Sequence, residues 1–202
     1  MVEFILKYPR VFNLWLKVNH GFKVKNILNN LSITPDQSMV EVGCGTGTLS
    51  INFPKDAYLG IDIDKKYINY ASKSFDRRFE VMSGTNMTFS DNSMDYILLS
   101  SVLHHLDNEL CNEIFKECKR VLKESGKVVI LEPELPPITS FMDWILYKLD
   151  RGKFIRSKQG YINLFKDYLQ IEKGNTLIPP FWKIFQARNS LFVLKQQYST
   201  NQ

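Results

Sequence analysis

A glycine-rich loop directly after a short apolar run constrains the fold of this chain more than any other feature. Met39-Val-Glu-Val42 has the length and composition of a buried strand, and Gly43-Cys-Gly-Thr-Gly47 follows it at once. Glycines permit sharp turns and a close approach of backbone to ligand. In a parallel α/β sheet, ligands bind beyond the carboxyl ends of the strands, which is where such a loop lies. The sequence therefore predicts a ligand site at this loop.

Six further runs have the character of strands and alternate with helical patterns. Tyr96–Ser100 and Lys127–Leu131 are continuously apolar, which is typical of strands buried on both faces of a sheet. Strands that alternate with helices indicate a mostly parallel sheet with right-handed crossovers. The remaining strands are predicted at residues 57–61, 79–82, 168–171 and 191–194.

One predicted helix has clear boundaries. Asp107 or Asn108 is suited to cap its start, and Gly126 is expected just past its end. Cys111 and Cys118 lie seven residues apart on this helix, so packing explains them better than chemistry does. Two more helices are predicted at residues 138–149 and 159–165. The apolar positions that define the first helix are Leu110, Ile114, Cys118, Val121 and Leu122.

Composition narrows the classes of partner. The net charge is +5, but the Lys and Arg residues are scattered, which favours a solvated surface over a nucleic-acid interface. The three cysteines form no Cys-x-x-Cys pair, so we expect neither a disulfide framework nor a metal site. A reducing, cytoplasmic location is the simplest expectation. No oligomeric state is predicted.

The first 18 residues are apolar with charges interspersed. No apolar run in the chain approaches the roughly 20 residues that span a bilayer, so we expect no integral membrane segment. Two interpretations stay open for this stretch. It is either a helix that packs on its own domain or a helix in peripheral contact with a membrane surface.

Two carboxylates and one missing glycine define the expected ligand. A dinucleotide-binding loop would have a third glycine where Thr48 stands. Glu41, two residues before the first glycine, would repel a pyrophosphate and favour a ligand with an ammonium group. Asp62, at the end of the second strand, is placed to accept both hydroxyls of a ribose, although a helix cap is the alternative role. These residues disfavour a dehydrogenase and indicate an adenosine cofactor that carries an amine.

Four segments together resemble a known family. Val40–Gly47, Gly60–Ile63, Ser90–Asp95 and Val102–Leu106 look like successive motifs of class I S-adenosylmethionine-dependent methyltransferases, in the branch with ubiquinone and menaquinone methyltransferases and many small-molecule enzymes. Their order and spacing match from about residue 38 to 133. The resemblance implies S-adenosyl-L-methionine as cofactor. It also implies a Rossmann-like, doubly wound, seven-stranded and mostly parallel sheet with helices on both faces and an antiparallel last strand.

The resemblance also implies roles for individual residues. Glu41 and the backbone of the glycine loop would hold the methionine end of the cofactor, Asp62 the ribose, and Ile63 the adenine. Thr85 or Asn86 would stand in for the family's aspartate at the adenine amino group, and Ser100 would lie beside the amino-acid portion. The full predicted cofactor set is Glu41, Gly43, Cys44, Gly45, Thr46, Gly47, Asp62, Ile63, Thr85, Asn86 and Ser100.

His104 and His105 are the candidate catalytic residues. Both follow the fourth strand, and histidine has the pKa of a general base near neutrality. Packing and hydrogen bonding are the alternative role, and the sequence favours neither histidine over the other. No Asn-Pro-Pro-Tyr motif follows the fourth strand, which disfavours exocyclic amines of nucleic-acid bases as acceptors. No Pro-Cys pair occurs in the sequence, which disfavours cytosine C5 as the acceptor.

The acceptor is expected to be a small molecule of apolar or acidic character. We predict a single domain over residues 1–202, with an N-terminal helical lid at 1–31 and an insertion at 134–160 as acceptor-site elements. Phe141 and Trp144 in the insertion suit an apolar ligand, although a helix that simply covers the sheet is an alternative. Arg151 and Arg156 either clamp a carboxylate or phosphate of the acceptor or tie the lid to carboxylates of the domain.

The leading hypothesis is therefore methyl transfer to a small molecule, with O-, N- and C-methylation all open. A module that binds S-adenosylmethionine without turnover is the main alternative. Aminopropyl transfer with the same cofactor is disfavoured, because no acidic pocket for a polyamine is apparent in the sequence.

Overall fold

The computed structural model describes residues 20–135, 153–178 and 188–197. Two short 3-10 helices lie at Ser50–Asn52 and Leu103–His105. The helices are α1 (20–28), α2 (Lys65–Ser74), α3 (Asn108–Val121) and α4 (Lys158–Phe165). The strands are β1 (Met39–Val42), β2 (Tyr58–Asp62), β3 (Arg78–Val81), β4 (Met94–Ser100), β5 (Leu122–Glu134), β6 (Leu169–Leu177) and β7 (Arg188–Gln196).

The seven strands form one sheet in the order β3-β2-β1-β4-β5-β7-β6. Strands β1 to β5 pair in parallel, whereas β7 is antiparallel to both of its neighbours, β5 and β6. The predicted seven-stranded sheet with an antiparallel last strand is thus confirmed. From β1 the chain builds outward to β3 and then returns to place β4 on the other side of β1. A crevice is expected at the carboxyl ends of β1 and β4, where this reversal occurs.

Apolar side chains of the central strands point alternately to two cores, one on each face of the sheet. Val40 and Val42 belong to the core that packs against α3 and α4, and Met39 belongs to the other. Ile27 and Leu31, at and just after the end of α1, are buried in this second core. Coverage of both faces explains why the central strands read as continuous apolar runs.

The start of α3 is fixed by a side-chain cap. The Asp107 carboxylate accepts a hydrogen bond from the backbone N–H of Leu110 at 2.9 Å, so Asp107 rather than Asn108 is the cap. The predicted end of this helix at Gly126 is wrong. The helix ends at Val121 and β5 begins at Leu122. The Leu122 side chain is fully buried in the core, and Leu122 pairs with Met94 of β4.

Several strands extend beyond their predicted limits. β5 begins before residue 127 and ends after 131, while β6 and β7 span nine residues each. Backbone pairing with β7 resumes at Lys173, after a register shift at Glu172, and continues through Asn175 and Thr176, polar residues that apolar patterning does not mark as strand. The helix predicted at 138–149 lies outside the described residues.

Within the part of the chain that is described, no helix combines the length and apolar character required to cross a membrane.

Candidate functional site

The glycine loop after β1 depends on three left-handed backbone conformations. Gly43, Gly45 and Gly47 have φ angles of 70°, 53° and 75°. A β-carbon on Gly43 would lie 2.5 Å from a methyl group of Val102, and one on Gly47 would lie 2.7 Å from the Phe79 ring. A β-carbon on Gly45 would meet no atom within 4 Å, so this glycine faces open space. The loop is therefore packed at both ends and open in the middle.

Asp62 is fixed against this loop by its own hydrogen bonds. One carboxylate oxygen accepts from the backbone N–H of Gly45 and the other from the N–H of Asp64, both at 2.9 Å. Asp64 caps α2 by accepting from the N–H of Lys66 at 2.8 Å. Asp62 is therefore not the helix cap, and its carboxylate lies beside the middle of the glycine loop.

A cavity of about 470 Å³ opens at the carboxyl ends of β1, β2 and β4. Seven predicted site residues lie in its wall: Gly43, Gly45, Thr46, Asp62, Ile63, Thr85 and His105. Ile63 is 73% exposed, and Tyr67 beside it on α2 is half exposed, so this end of the cavity has an unusually accessible apolar surface.

The other predicted site residues lie outside the cavity wall as the structure defines it. The Cys44 side chain is buried, and Gly47 packs against Phe79. Ser100 ends β4, and the next residue, Ser101, lines the cavity in its place. The remaining residues of this set are Glu41, Asn86 and His104.

Glu41 is buried beneath the loop, where its carboxylate accepts a hydrogen bond from the Tyr58 hydroxyl. Burial raises the pKa of Glu41 to about 7, with the Tyr58 hydrogen bond acting in the opposite direction. Burial and the nearby Glu41 carboxyl also raise the pKa of Tyr58. Glu41 is thus half protonated near neutrality in the folded protein, a state that apolar patterning of β1 does not reveal.

The structure separates the two histidines. His105 lies in the cavity wall, whereas His104 is buried with its Nδ1 atom 2.7 Å from the Glu132 carboxylate. Their rings are 4.0 Å apart, centroid to centroid. Of the two, only His105 is placed to meet a ligand.

Sequence reasoning missed Ser101, Val102 and Glu132. Ser101 lines the cavity with a φ of 59°, an uncommon conformation for a residue other than glycine, and its hydroxyl accepts from the Lys23 ammonium at 2.7 Å. Glu132 is fully buried at the carboxyl end of β5. A carboxylate that directly follows the apolar run of a central strand is the signal that would have indicated it.

Arg156 is bonded within the chain rather than left open for an acceptor. Its guanidinium donates to backbone carbonyl oxygens of Leu103, Leu106 and Phe154 at 2.8–2.9 Å and to the Asn108 side chain. The predicted link to carboxylates is therefore wrong, because carbonyl oxygens of the turn after β4 take their place. Arg151 lies outside the described residues.

Across residues 20–135, 153–178 and 188–197, no group of three or more His, Cys, Asp or Glu side chains is placed to hold a metal ion.

Residues 40–130 match the family model of a methyltransferase domain. In sequence, the chain is 28% identical over 173 residues to phosphoethanolamine N-methyltransferase 3 of Arabidopsis thaliana, covering 81% of this chain and 35% of that protein. It is 24% identical over 152 residues to demethylmenaquinone methyltransferase of Staphylococcus saprophyticus, covering 71% and 64%. These matches confirm the resemblance to S-adenosylmethionine-dependent methyltransferases that the sequence motifs indicated. The chain spans about a third of the length of its phosphoethanolamine methyltransferase relatives.

Solved structures show the same fold. Geranyl diphosphate C-methyltransferase from Streptomyces coelicolor A3(2), in complex with Mg²⁺, geranyl diphosphate and S-adenosyl-L-homocysteine, superimposes with a TM-score of 0.72. It is 15% identical in sequence, and the match covers 88% of this chain and 79% of that one. At this level of identity the likeness concerns the fold.

Proposed function

We propose that this chain transfers a methyl group from S-adenosyl-L-methionine to a small-molecule acceptor. The observation that carries the proposal is the pairing of Asp62 with Gly45 at the carboxyl edge of the sheet, beside the exposed Ile63. A fixed carboxylate next to an open glycine and an apolar surface matches a ribose, an amino-acid tail and an adenine. The match of residues 40–130 to the methyltransferase-domain model supports the same cofactor.

On the donor side, each group of residues has a separate task. Each Asp62 oxygen accepts one backbone N–H and keeps a lone pair for a ribose hydroxyl. Ile63 and Tyr67 provide the apolar surface for adenine, and Thr85 lies in the same wall to meet its polar edge. Glu41 lies beneath the loop and outside the cavity wall, and in its ionised form it would favour the positive charge at the methionine end.

The cofactor supplies a methyl group already activated on a sulfonium. The work of the chain is to align the acceptor and exclude water. A hydroxyl or protonated amine acceptor also has to lose a proton. We assign this step to His105, because it lies in the cavity wall, whereas His104 is bonded to Glu132 and is absent from that wall.

We assign the acceptor side to the N-terminal segment at 1–31 and the insertion at 134–160 of a single domain. Two contacts support this assignment. Lys23 of α1 donates to Ser101 in the cavity wall, and the N–H of Phe154 donates to the carbonyl oxygen of His104 at 2.9 Å. The expected acceptor is a small molecule of apolar or acidic character rather than a nucleic acid.

We also propose a cytoplasmic location. Cys44, Cys111 and Cys118 are all free and buried, which suits a reducing compartment.

Calorimetry with S-adenosylmethionine, S-adenosylhomocysteine and NAD tests the donor site. Binding of the first two without NAD is expected, and binding of NAD alone would overturn the proposal. Release of S-adenosylhomocysteine is then followed with phosphoethanolamine, a demethylated quinol and geranyl diphosphate. Cofactor binding without turnover on these or on a wider metabolite panel would favour the alternative, a module that binds the cofactor without catalysis.

A further inference from the structure

The turn after β4 carries the candidate base. Residues 102–106, called here the 102–106 turn, include the 3-10 helix Leu103–His105 and place Val102, His105 and Leu106 in the cavity wall. Its own backbone contributes two hydrogen bonds, from His105 to Val102 at 3.0 Å and from Leu106 to Leu103 at 3.2 Å. So short a helix is marginal on its own and needs outside contacts to keep one shape.

The amide end of the turn is held by Glu132. One oxygen of its carboxylate accepts from the backbone N–H of Val102 at 2.7 Å and from that of Leu103 at 2.9 Å. The other oxygen is 2.7 Å from Nδ1 of His104. The carboxylate has no solvent exposure, and hydrogen bonds to a charged acceptor in such a site are roughly twice as strong as neutral ones.

The carbonyl end is held by Arg156, which lies near the end of the predicted insertion at 134–160. Its two terminal nitrogens donate to the carbonyl oxygens of Leu103 and Leu106, each at 2.8 Å. The backbone of the same segment adds the bond from the Phe154 N–H to the carbonyl oxygen of His104. The turn is therefore held at its amide end by the Glu132 carboxylate and at its carbonyl end by the Arg156 guanidinium.

We propose that Glu132 and Arg156 are positioning residues that fix His105 in the cavity wall by holding the 102–106 turn from its two ends. The His104 ring completes the connection, because it is bonded to Glu132 and packs on the His105 ring. The proposal rests on the methyl-transfer function above for its kinetic consequence. Its structural part concerns only residues of this chain.

The test compares Glu132→Gln and Arg156→Lys with two matched controls. Asp95→Asn changes a carboxylate that likewise accepts a hydrogen bond from a backbone N–H, that of Ser38, and that contacts Lys123. Asp95 lies at the amino end of β4, whereas the cavity lies at its carboxyl end. Arg77→Lys changes a guanidinium that likewise donates to two carbonyl oxygens, those of Ser50 and Asp76, away from the cavity. Arg156→Lys keeps the charge and loses the fork that reaches several acceptors. Arg156 is partly exposed, so its substitution should disturb folding less than that of the buried Glu132. Arg156→Lys therefore still tests the proposal if Glu132→Gln folds poorly.

The first readout is hydrogen exchange of the His105 and Leu106 amides. Both site variants should exchange there about ten-fold faster than wild type, while the two controls stay unchanged at these amides. The second readout is kinetic, with the acceptor that gives turnover in the panel above. Here kcat should fall about ten-fold in Glu132→Gln and less in Arg156→Lys, with KM for S-adenosylmethionine within about two-fold of wild type.

The outcomes separate the two proposals. Unchanged exchange at both amides, or equal acceleration in the controls, overturns the positioning role whatever the activity. Faster exchange with unchanged kcat also overturns it, because the turn would then move without consequence for the reaction. If wild type binds no S-adenosylmethionine, the proposed function fails, and the exchange comparison still decides whether Glu132 and Arg156 hold the turn.

Discussion

Asp62 and Asp64 show how position decides the role of a residue type. Both lie at the end of β2, two residues apart, and both accept backbone N–H groups. Asp64 accepts from α2 and fixes the start of that helix, whereas Asp62 accepts from the glycine loop and faces the cavity. A carboxylate oriented by two backbone bonds is already in place before a ligand arrives, so little entropy is lost on binding.

Asp62→Asn should weaken binding of S-adenosylhomocysteine by about 10- to 100-fold, because hydrogen bonds to a charged group contribute about 1.5–3 kcal/mol. Calorimetry measures the change. Asp64→Asn is the matched control, since asparagine is as good a helix cap as aspartate. Equal losses in the two variants would remove Asp62 from the proposed site.

Glu41 should make stability depend on pH. The folded protein retains the Glu41 proton up to about pH 7, while the ordinary pKa is 4.5. The unfolded chain therefore binds fewer protons between these values, and the free energy of unfolding falls as pH rises through this window. Glu41→Gln removes this pH dependence. The free energy of unfolding of the variant minus that of wild type should therefore rise by about 1–3 kcal/mol from pH 5 to pH 8.

Urea unfolding at several pH values measures the effect of Glu41→Gln. Glu117→Gln is the control, because a hydrogen bond from Arg120 lowers the pKa of Glu117. The stability from that pairing is lost only as pH falls below the ordinary pKa of a glutamate. The difference in free energy of unfolding between Glu117→Gln and wild type should therefore stay flat between pH 5 and 8. A flat difference for Glu41→Gln as well would contradict the buried, protonated carboxyl.

At the scale of elements, α3 passes directly into β5. Its apolar face, with Cys111, Ile114 and Cys118, is buried against the sheet, and its first residue follows the Asp107 cap. Burial raises the pKa of the Cys111 thiol to about 11 and raises that of Cys118 as well, so both behave as apolar packing groups at neutral pH. The helix also follows the 102–106 turn directly in sequence, with Asp107 between them.

Asp107→Ala should lower the free energy of unfolding by about 1 kcal/mol, because the N–H of Leu110 loses its acceptor. Asp107→Asn, which keeps a capping oxygen, should stay within a few tenths of wild type. Urea denaturation of the three proteins checks both values. A loss as large in the asparagine variant would point to charge rather than capping as the contribution of Asp107.

At the scale of the whole molecule, the sheet order brings together residues that are distant in sequence. Gly45 and Asp62 meet because β1 and β2 are parallel neighbours, and Ser101 joins them because β4 lies on the other side of β1. Lys23 then reaches Ser101 across 78 positions of sequence. The site therefore exists only in the folded sheet, and ligand binding should stabilise the fold as a whole.

S-adenosylhomocysteine at about 100 times its Kd should add roughly 2.7 kcal/mol of stability. For a chain of this size that corresponds to a rise in Tm of about 5–10 °C. A thermal melt with and without ligand measures it, and NAD at the same concentration should leave Tm unchanged. Asp62→Asn should lose about half of the shift or more at that ligand concentration; a full shift in this variant would place the ligand elsewhere.

Local features of the sequence were sufficient for the order of the strands and for the glycine loop. Apolar periodicity and glycine placement depend on a few neighbouring residues, so they can be read along the chain. For the cap of α3, local features left Asp107 and Asn108 as alternatives, and the structure decided for Asp107. Ladder pairing with a neighbouring strand is not local, which is why β5, β6 and β7 extend past their apolar runs.

The tertiary structure alone decided which polar groups face the cavity. His104 and His105 are adjacent in sequence, yet Glu132 from another strand holds one in the core and leaves the other in the cavity wall. Burial beside Tyr58 sets the protonation of Glu41, and carbonyl oxygens of the 102–106 turn take the guanidinium of Arg156. Each of these outcomes depends on a partner at least 17 positions away in sequence, and no local pattern contains that partner.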